Sequence, residues 1–275
     1  MTRTPKEPGQ ICLQGHRAWR GKFPENSKIA FEKVLELGVT AIELDVVPGP
    51  DNSLWVWHDP FLGELFENPY VSKALNSYTQ LELEASVFGL KAHPLFKEQQ
   101  PVASRMMRLE ELIEWWQSFG AERPWLNIEI KSKPEWEGVF QPSVSAYAEN
   151  LLDALPAECG KLHLQSFDLR FLLEIEALSA HCSLGWLVED GEALKHFFDQ
   201  PHAFDAIGIS HELIDIQIVD KCTELNLELM VWTVNDVLRA STLHQMGVRN
   251  FITDYPDKFK SWMTESSIEL RSALI

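Results

Sequence analysis

The sequence predicts an α/β fold, a TIM-type (β/α)8 barrel with a small insertion after the second strand, and three observations carry that expectation. From Ile11 onward, short apolar runs alternate with longer segments of helical period, the pattern of βα units and a parallel sheet. About eight such runs occur, and 275 residues is a typical length for a barrel. No GxGxxG or GxxxxGK(S/T) turn is present, which disfavours an open doubly wound sheet.

The strands are expected at Ile11 to Gln14, Thr40 to Val46, Trp125 to Ile130, Leu162 to Ser166, Ser183 to Val188, Ala206 to Ser210, Leu227 to Val234 and Asn250 to Thr253. Helices fall between them. Ser27 to Leu37 and Leu109 to Phe119 are two, each followed by a glycine, Gly38 and Gly120, where a C′ residue belongs. An extra strand-like piece, Leu54 to Trp57, follows the second strand. The next 49 residues, Asp59 to Met107, hold four prolines and no long periodic helix. A loop of that length is rarely structureless unless it is functional, so residues 59–107 are expected to form an insertion over one end of the barrel. No linker divides the chain, and residues 1–275 are expected to form one domain.

Side chains alternate along a strand, so each barrel strand has one face toward the helices and one toward the centre. Ile42, Leu44 and Val46 share one face of the second strand, with Glu43 and Asp45 on the other. Leu126, Ile128 and Ile130 likewise oppose Asn127, Glu129 and Lys131. Ile11 and Leu13 oppose Cys12, Gln14 and then His16. One His, three carboxylates and one Lys therefore point inward near the C-terminal strand ends, the face where barrel active sites lie. Burying an ion costs several kcal/mol, and one lysine does not balance three carboxylates, so a divalent cation is expected among them. Oxygen donors suit Mg²⁺ or Ca²⁺ better than zinc, with Mn²⁺ a third candidate. Structural ion pairs at the barrel mouth are the plainer alternative.

Composition narrows the partners. Lys+Arg number 24 and Asp+Glu 41, a formal net charge of −17, with no basic block, which argues against nucleic-acid binding. No apolar run approaches the ~18 residues of a membrane span. Met1 to Gln10 is polar and has no h-region of a secretory signal. Cys12, Cys159, Cys182 and Cys222 form no CxxC pair, so neither a zinc site nor a disulfide framework is expected, and the cytoplasm is the default compartment.

Several short motifs then stand in order along the chain: Gly15-His16-Arg17-Ala18, Pro24-Glu25-Asn26-Ser27, Glu43-Leu44-Asp45, His58-Asp59, Glu129-Ile130-Lys131, Trp232-Thr233-Val234-Asn235 and Thr253-Asp254-Tyr255-Pro256. From about Ile11 to Asp257 the chain closely resembles the glycerophosphodiester phosphodiesterases. The resemblance implies a barrel that hydrolyses small-molecule glycerophosphodiesters with a divalent metal. It departs at Ala18, where Gly is usual, at Ser27, where Thr is usual, at the turn Pro48 to Ser53, and after His58-Asp59, where a Leu-x-Arg-Thr pattern is missing.

On the matched positions, Glu43, Asp45 and Glu129 would hold the metal, and Arg17 and Lys131 would ligate phosphate. His16 and His58 would exchange protons with the attacking and leaving oxygens, since histidine alone has an ordinary pKa near ~6.5. The resemblance also implies that the substrate's own glycerol hydroxyl attacks first, giving a cyclic phosphate that water opens. Arg20 and Lys22 are expected to add only diffuse positive charge. Glu25, Asn26, Gln165 and Trp232 are further substrate-site candidates, with Asn26 equally readable as a helix N-cap and Trp232 as barrel filling. The remaining histidines, His93, His163, His181, His196, His202, His211 and His244, have no ligand spacing. Two other functions stay open. One is a lysophospholipase D-like enzyme, with Phe61, Phe66, Tyr70, Tyr78, Phe88 and Phe96 lining an apolar tunnel. The other is a non-catalytic glycerophosphate-binding barrel.

Overall fold

The alternation read from the sequence separates two interiors. Ile11, Leu13, Ile42, Leu44, Val46, Leu126, Ile128, Ile130, Leu162 and Leu164 all join one large apolar core beneath the helices. Cys12, Ala41, Ala206, Met230 and Ile252, on the opposite parity, form a small separate cluster in the barrel centre. The computed structural model describes residues 10–63, 73–178, 181–199 and 204–275.

The strands are β1 (Gln10–Gly15), β2 (Ala41–Pro48), β3 (Leu54–Val56), β4 (Val87–Phe88), β5 (Ser104–Arg105), β6 (Trp125–Ile130), β7 (Leu162–Ser166), β8 (Ser183–Val188), β9 (Ala206–Ser210), β10 (Glu228–Trp232), β11 (Asn250–Thr253) and β12 (Glu269–Leu270). Parallel pairing runs β1-β2-β6-β7-β8-β9-β10-β11 and returns to β1, closing a barrel of eight strands. All eight lie where the apolar runs predict them. β3 extends β2 antiparallel, pairing Val46 with Val56, and β12 adds to β1.

The helices are α1 (Lys28–Glu36), α2 (Gln80–Ala85), α3 (Leu109–Gln117), α4 (Val144–Ala154), α5 (Leu169–Leu178), α6 (Gly191–Asp199), α7 (Ile216–Glu224), α8 (Val237–Met246) and α9 (Pro256–Glu265). α1 starts at Ser27, whose hydroxyl accepts from Ala30 N, and Gly38 follows it with φ +80°. Ser27, not Asn26, is therefore the N-cap. α3 stops at Gln117, two residues short of the expected end, and Gly120 instead opens a 3₁₀ turn.

Within the insertion, α2 is fixed by a capping box between Thr79 and Glu82, and β4 pairs antiparallel with β5. Its apolar residues make their own core of Val47, Trp55, Trp57, Leu62, Leu75, Tyr78, Leu83, Phe88 and Met106. Tyr78 and Phe88 are buried there, and Phe96 packs against His93 and Tyr255. Phe66 and Tyr70, like His202, lie outside the described residues. Tyr78, Phe88 and Phe96 thus fill packing positions rather than line a tunnel, while Phe61 is exposed.

The cysteine expectation is corrected. Cys159 and Cys182 form a disulfide with Cα atoms 5.1 Å apart, while Cys12 and Cys222 are free and buried. The two residues precede β7 and β8, which are neighbours in parallel register, so one βα unit returns the chain to the same end of the barrel. Such bonds are rare in reducing compartments, so cysteine usage no longer supports the cytoplasmic default. No helix among the described residues is long and apolar enough to cross a membrane.

The barrel centre beneath the mouth is polar but neutral. Gln14 Nε2 donates to Asn250 Oδ1 at 2.7 Å, and Asn127 Nδ2 donates to Gln14 Oε1 at 2.9 Å, so one amide links three strands. His163 sits beside Ser183 Oγ at 2.9 Å, and burial pushes its imidazole pKa down to about 3, which keeps the ring uncharged. It is a core histidine, as its spacing suggests. The Gln14 amide, paired at both its nitrogen and its oxygen, ties these strands into a polar floor for the site above.

Candidate active site

The mouth is shaped by one tight bend after β1. A Cβ on Gly15 would stand 1.9 Å from the Ala18 carbonyl oxygen, so only glycine allows the chain to fold back here. Arg17 and Ala18 follow with φ of 48° and 70°, left-handed values that glycine adopts without a Cβ penalty and that Ala18 adopts in this chain. Arg17 N donates to Glu43 Oε2 at 2.9 Å and Ala18 N to the Glu43 carbonyl at 3.1 Å, which ties the bend to β2. Gly15→Ala is expected to cost stability at or above the upper end of the ~1–3 kcal/mol typical of overpacked sites, because the clash is with backbone. A lowered denaturant midpoint would show it, and an unchanged midpoint would contradict the bend.

Glu43, Asp45 and Glu129 meet across the neighbouring strands β2 and β6, where Asp45 and Glu129 are register partners. One oxygen from each lies within 4.8 Å of the others, and all three residues are buried. Their charges are handled unequally. For Asp45, burial is opposed by Lys131 and Arg17, which hold the carboxyl well below its ordinary range. Glu43 is pushed well above its range by burial and by the neighbouring Asp45 and Glu129 carboxylates. Lys131 Nζ sits 2.9 Å from Asp45 Oδ1 and also contacts Glu129. Asp45 Oδ1 nevertheless has no aligned hydrogen-bond donor. A buried orphan oxygen beside two more carboxylates is a donor set that fits a hard divalent cation.

Around this cluster lies a cavity of about 340 Å³ lined by His16, Arg17, Arg20, Glu43, His58, Glu129, Lys131, Gln165, Phe167, Leu187, Glu189, Trp232, Thr233 and Ile252. His16 Nδ1 is 2.6 Å from Asp254 Oδ1, and Asp254 Oδ2 accepts from Asn235 Nδ2 at 2.6 Å. Burial raises the Asp254 carboxyl, but His16, Arg20 and Asn235 together outweigh it and the net shift is downward. His16 Nε2 faces Glu43 Oε2 at 3.9 Å. His58 Nδ1 is similarly held by Asp59 Oδ1 at 2.7 Å. Both histidines thus have one ring nitrogen fixed by a carboxylate and the other left for the cavity, the arrangement that serves proton transfer.

Of the sequence-predicted residues, His16, His58, Arg17, Lys131, Gln165, Trp232, Glu43 and Glu129 line the cavity, and Asp45 lies fully buried beneath it. Gln165 Oε1 and Trp232 Nε1 are buried without a hydrogen-bond partner among the described residues, so each can serve a bound molecule. Trp232 is a wall, with Phe167 edge-on at 5.4 Å. Glu25 and Asn26 stand behind the wall instead. Glu25 Oε1 accepts from Arg17 Nη1 at 2.7 Å, and Asn26 Nδ2 donates to Asp45 Oδ2 at 2.8 Å, so they position the groups that face the cavity. Arg20 was expected to be peripheral, yet it lines the cavity while paired with Glu25.

Sequence reading also missed Asp254 and Asn235 as supports of His16, although parity from Ile252 puts Asp254 inward. Phe167 and Glu189 were missed because they follow strands with no motif attached. A larger cavity of about 440 Å³ at the other barrel end involves Asp205, Glu228, Arg249 and Arg271 and holds neither the carboxylate cluster nor the histidines.

A barrel with two carboxylate-anchored histidines over an oxygen-donor cluster at its C-terminal mouth is the architecture of a hydrolase acting on a charged ester. The chain matches the Glycerophosphoryl diester phosphodiesterase family over residues 16–258, and it belongs to that family, whose members are phosphoric diester hydrolases. It is 24% identical over 259 residues to a glycerophosphodiester phosphodiesterase of Bacillus subtilis, covering 92% of this chain and 86% of that protein. Its fold is shared with a putative glycerophosphoryl diester phosphodiesterase of Silicibacter pomeroyi, at TM-score 0.84 and 21% identity over 96% of this chain and 97% of the other. An Oleispira antarctica phosphodiesterase in complex with the product sn-glycerol-3-phosphate matches at TM-score 0.72 and 20% identity, covering 92% and 96% of the two chains.

Proposed function

We propose that this protein is a divalent-metal-dependent phosphodiesterase that hydrolyses glycerophosphodiesters to glycerol 3-phosphate and an alcohol, acting as one barrel domain with residues 59–107 as its insertion. The observation that carries this is the pairing of His16 with Asp254 and of His58 with Asp59 at a cavity that also holds Glu43 and Glu129. Glu43, Asp45 and Glu129 would hold Mg²⁺, Ca²⁺ or Mn²⁺, which when bound neutralises phosphoryl oxygen charge and orients glycerol hydroxyls.

The remaining steps belong to the chain. Arg17, already oriented by Glu25, and Lys131, within reach of Asp45, present positive charge to the non-bridging oxygens. One histidine accepts a proton at its free ring nitrogen from the attacking hydroxyl. The other, protonated at both nitrogens and stabilised by its carboxylate, donates to the leaving alkoxide. Gln165 and Trp232 would contact the substrate through their unpartnered polar atoms, while Phe167 and Trp232 exclude water.

The test is kcat/KM on glycerophosphodiesters with different alcohols, each with Mg²⁺, Ca²⁺ or Mn²⁺, beside an acylated lyso analogue. Turnover of the deacylated compounds at well above the rate for the lyso compound is expected, because Tyr78, Phe88 and Phe96 pack internally. Turnover of the lyso compound alone would reverse the assignment.

A further inference from the structure

Beyond the first cavity lies a second of about 260 Å³, lined by His58, Asp59, Glu129, Ile130, Lys131, Ser132, Lys133, Trp136, Phe167 and Glu189. The two share His58, Glu129, Lys131, Phe167 and Glu189, so they are halves of one cleft. The first half holds Arg17, Gln165 and Trp232 close to the carboxylate cluster. The second adds Asp59, Ser132, Lys133 and Trp136 and holds none of Arg17, Gln165 and Trp232.

The walls of this outer half have a distinct chemistry. Phe167 and Trp136 are half-buried rings, and Trp136 is braced edge-on by Phe140 at 6.1 Å. Trp136 already carries a cation, with Lys133 Nζ 5.2 Å from its centroid. Among the described residues no cation stands over Phe167. The charges facing the space are Glu129 and Lys131, which bind each other, Asp59, which is bound to His58, the exposed Lys133, and Glu189. Glu189 follows β8, is exposed, and has no hydrogen-bond or ion-pair partner among the described residues. An unpaired carboxylate beside an unoccupied ring face suits a cation, because the ring quadrupole and the anion attract the same charge. A neutral polyol gains no charge attraction from that carboxylate, and an anion is repelled by it.

We propose that the outer half is the leaving-group subsite and that Glu189, with Phe167, selects amino-alcohol head groups bearing an ammonium or quaternary ammonium. The proposal rests on the phosphodiesterase function proposed above. It makes Glu189 a specificity-determining residue with no part in proton transfer.

The test is the ratio of kcat/KM for glycerophosphocholine to that for glycerophosphoglycerol, measured in the wild type, Glu189→Gln and Glu189→Lys. The expected result is a ratio at least threefold lower in Glu189→Gln and lower again in Glu189→Lys, in line with the modest strength of partly exposed cation contacts. Turnover of the glycerol compound serves as the fold control within the same measurement. A smaller decrease in both variants, or an increase, overturns the subsite while leaving the phosphodiesterase function standing. No turnover of either compound by the wild type overturns both.

Discussion

Replacing either His16 or His58 by alanine is expected to lower turnover by about 10²- to 10⁴-fold, the range for loss of a general acid or base, in protein that still folds. Both side chains line the cavity, and neither contributes to the apolar cores. Circular dichroism would confirm the fold, and either variant with near-normal turnover would remove that histidine from the chemistry. A substrate whose leaving alcohol is strongly acidic should partly rescue the variant that lost the acid, since that alkoxide hardly needs a proton. The rescue assigns the two roles. Asp254→Asn should cost less than His16→Ala, because it leaves the imidazole in place and removes only the carboxylate that fixes it through Nδ1.

Chelation is expected to abolish turnover, and Glu129→Gln to weaken metal affinity at least tenfold while keeping the side chain's shape. The reason is electrostatic. Burial and the mutual repulsion of three carboxylates already push Glu43 well above its ordinary range, even with Lys131 and Arg17 close by. An added divalent charge relieves that repulsion, so the ion should also raise the melting temperature by mass action, by about 2.7 kcal/mol of stability at a hundredfold excess over Kd. Full activity in excess EDTA, or a melting temperature unmoved by saturating metal, would contradict a shared ion site.

Much of the frame was legible because barrel strands obey a period of two. Glu43, Asp45 and Glu129 could be placed together from parity alone, since Ile42, Leu44, Ile128 and Ile130 had to face the helices. The interior position of Trp232 followed from Met230 in the same way. What escaped were contacts between loops, which no periodicity encodes. Glu25 and Asn26 proved to grip Arg17 and Asp45 because the bend after Gly15 folds back over β2, a geometry set by backbone crowding. Arg20 and Glu189 reach the cavity from loops whose direction only the closed barrel fixes. The Cys159–Cys182 bond was invisible for a related reason, as a separation of 23 residues becomes proximity only once β7 and β8 are in register.

The most direct test of the central assignment is to follow a glycerophosphodiester by ³¹P NMR with the purified protein, first in EDTA and then after adding Mg²⁺, Ca²⁺ or Mn²⁺. The expected result is no change in EDTA and, with metal, conversion of the diester resonance to that of glycerol 3-phosphate with release of the free alcohol. Conversion in EDTA, a phosphorylated head group in place of glycerol 3-phosphate, or an unchanged diester with every metal would contradict it.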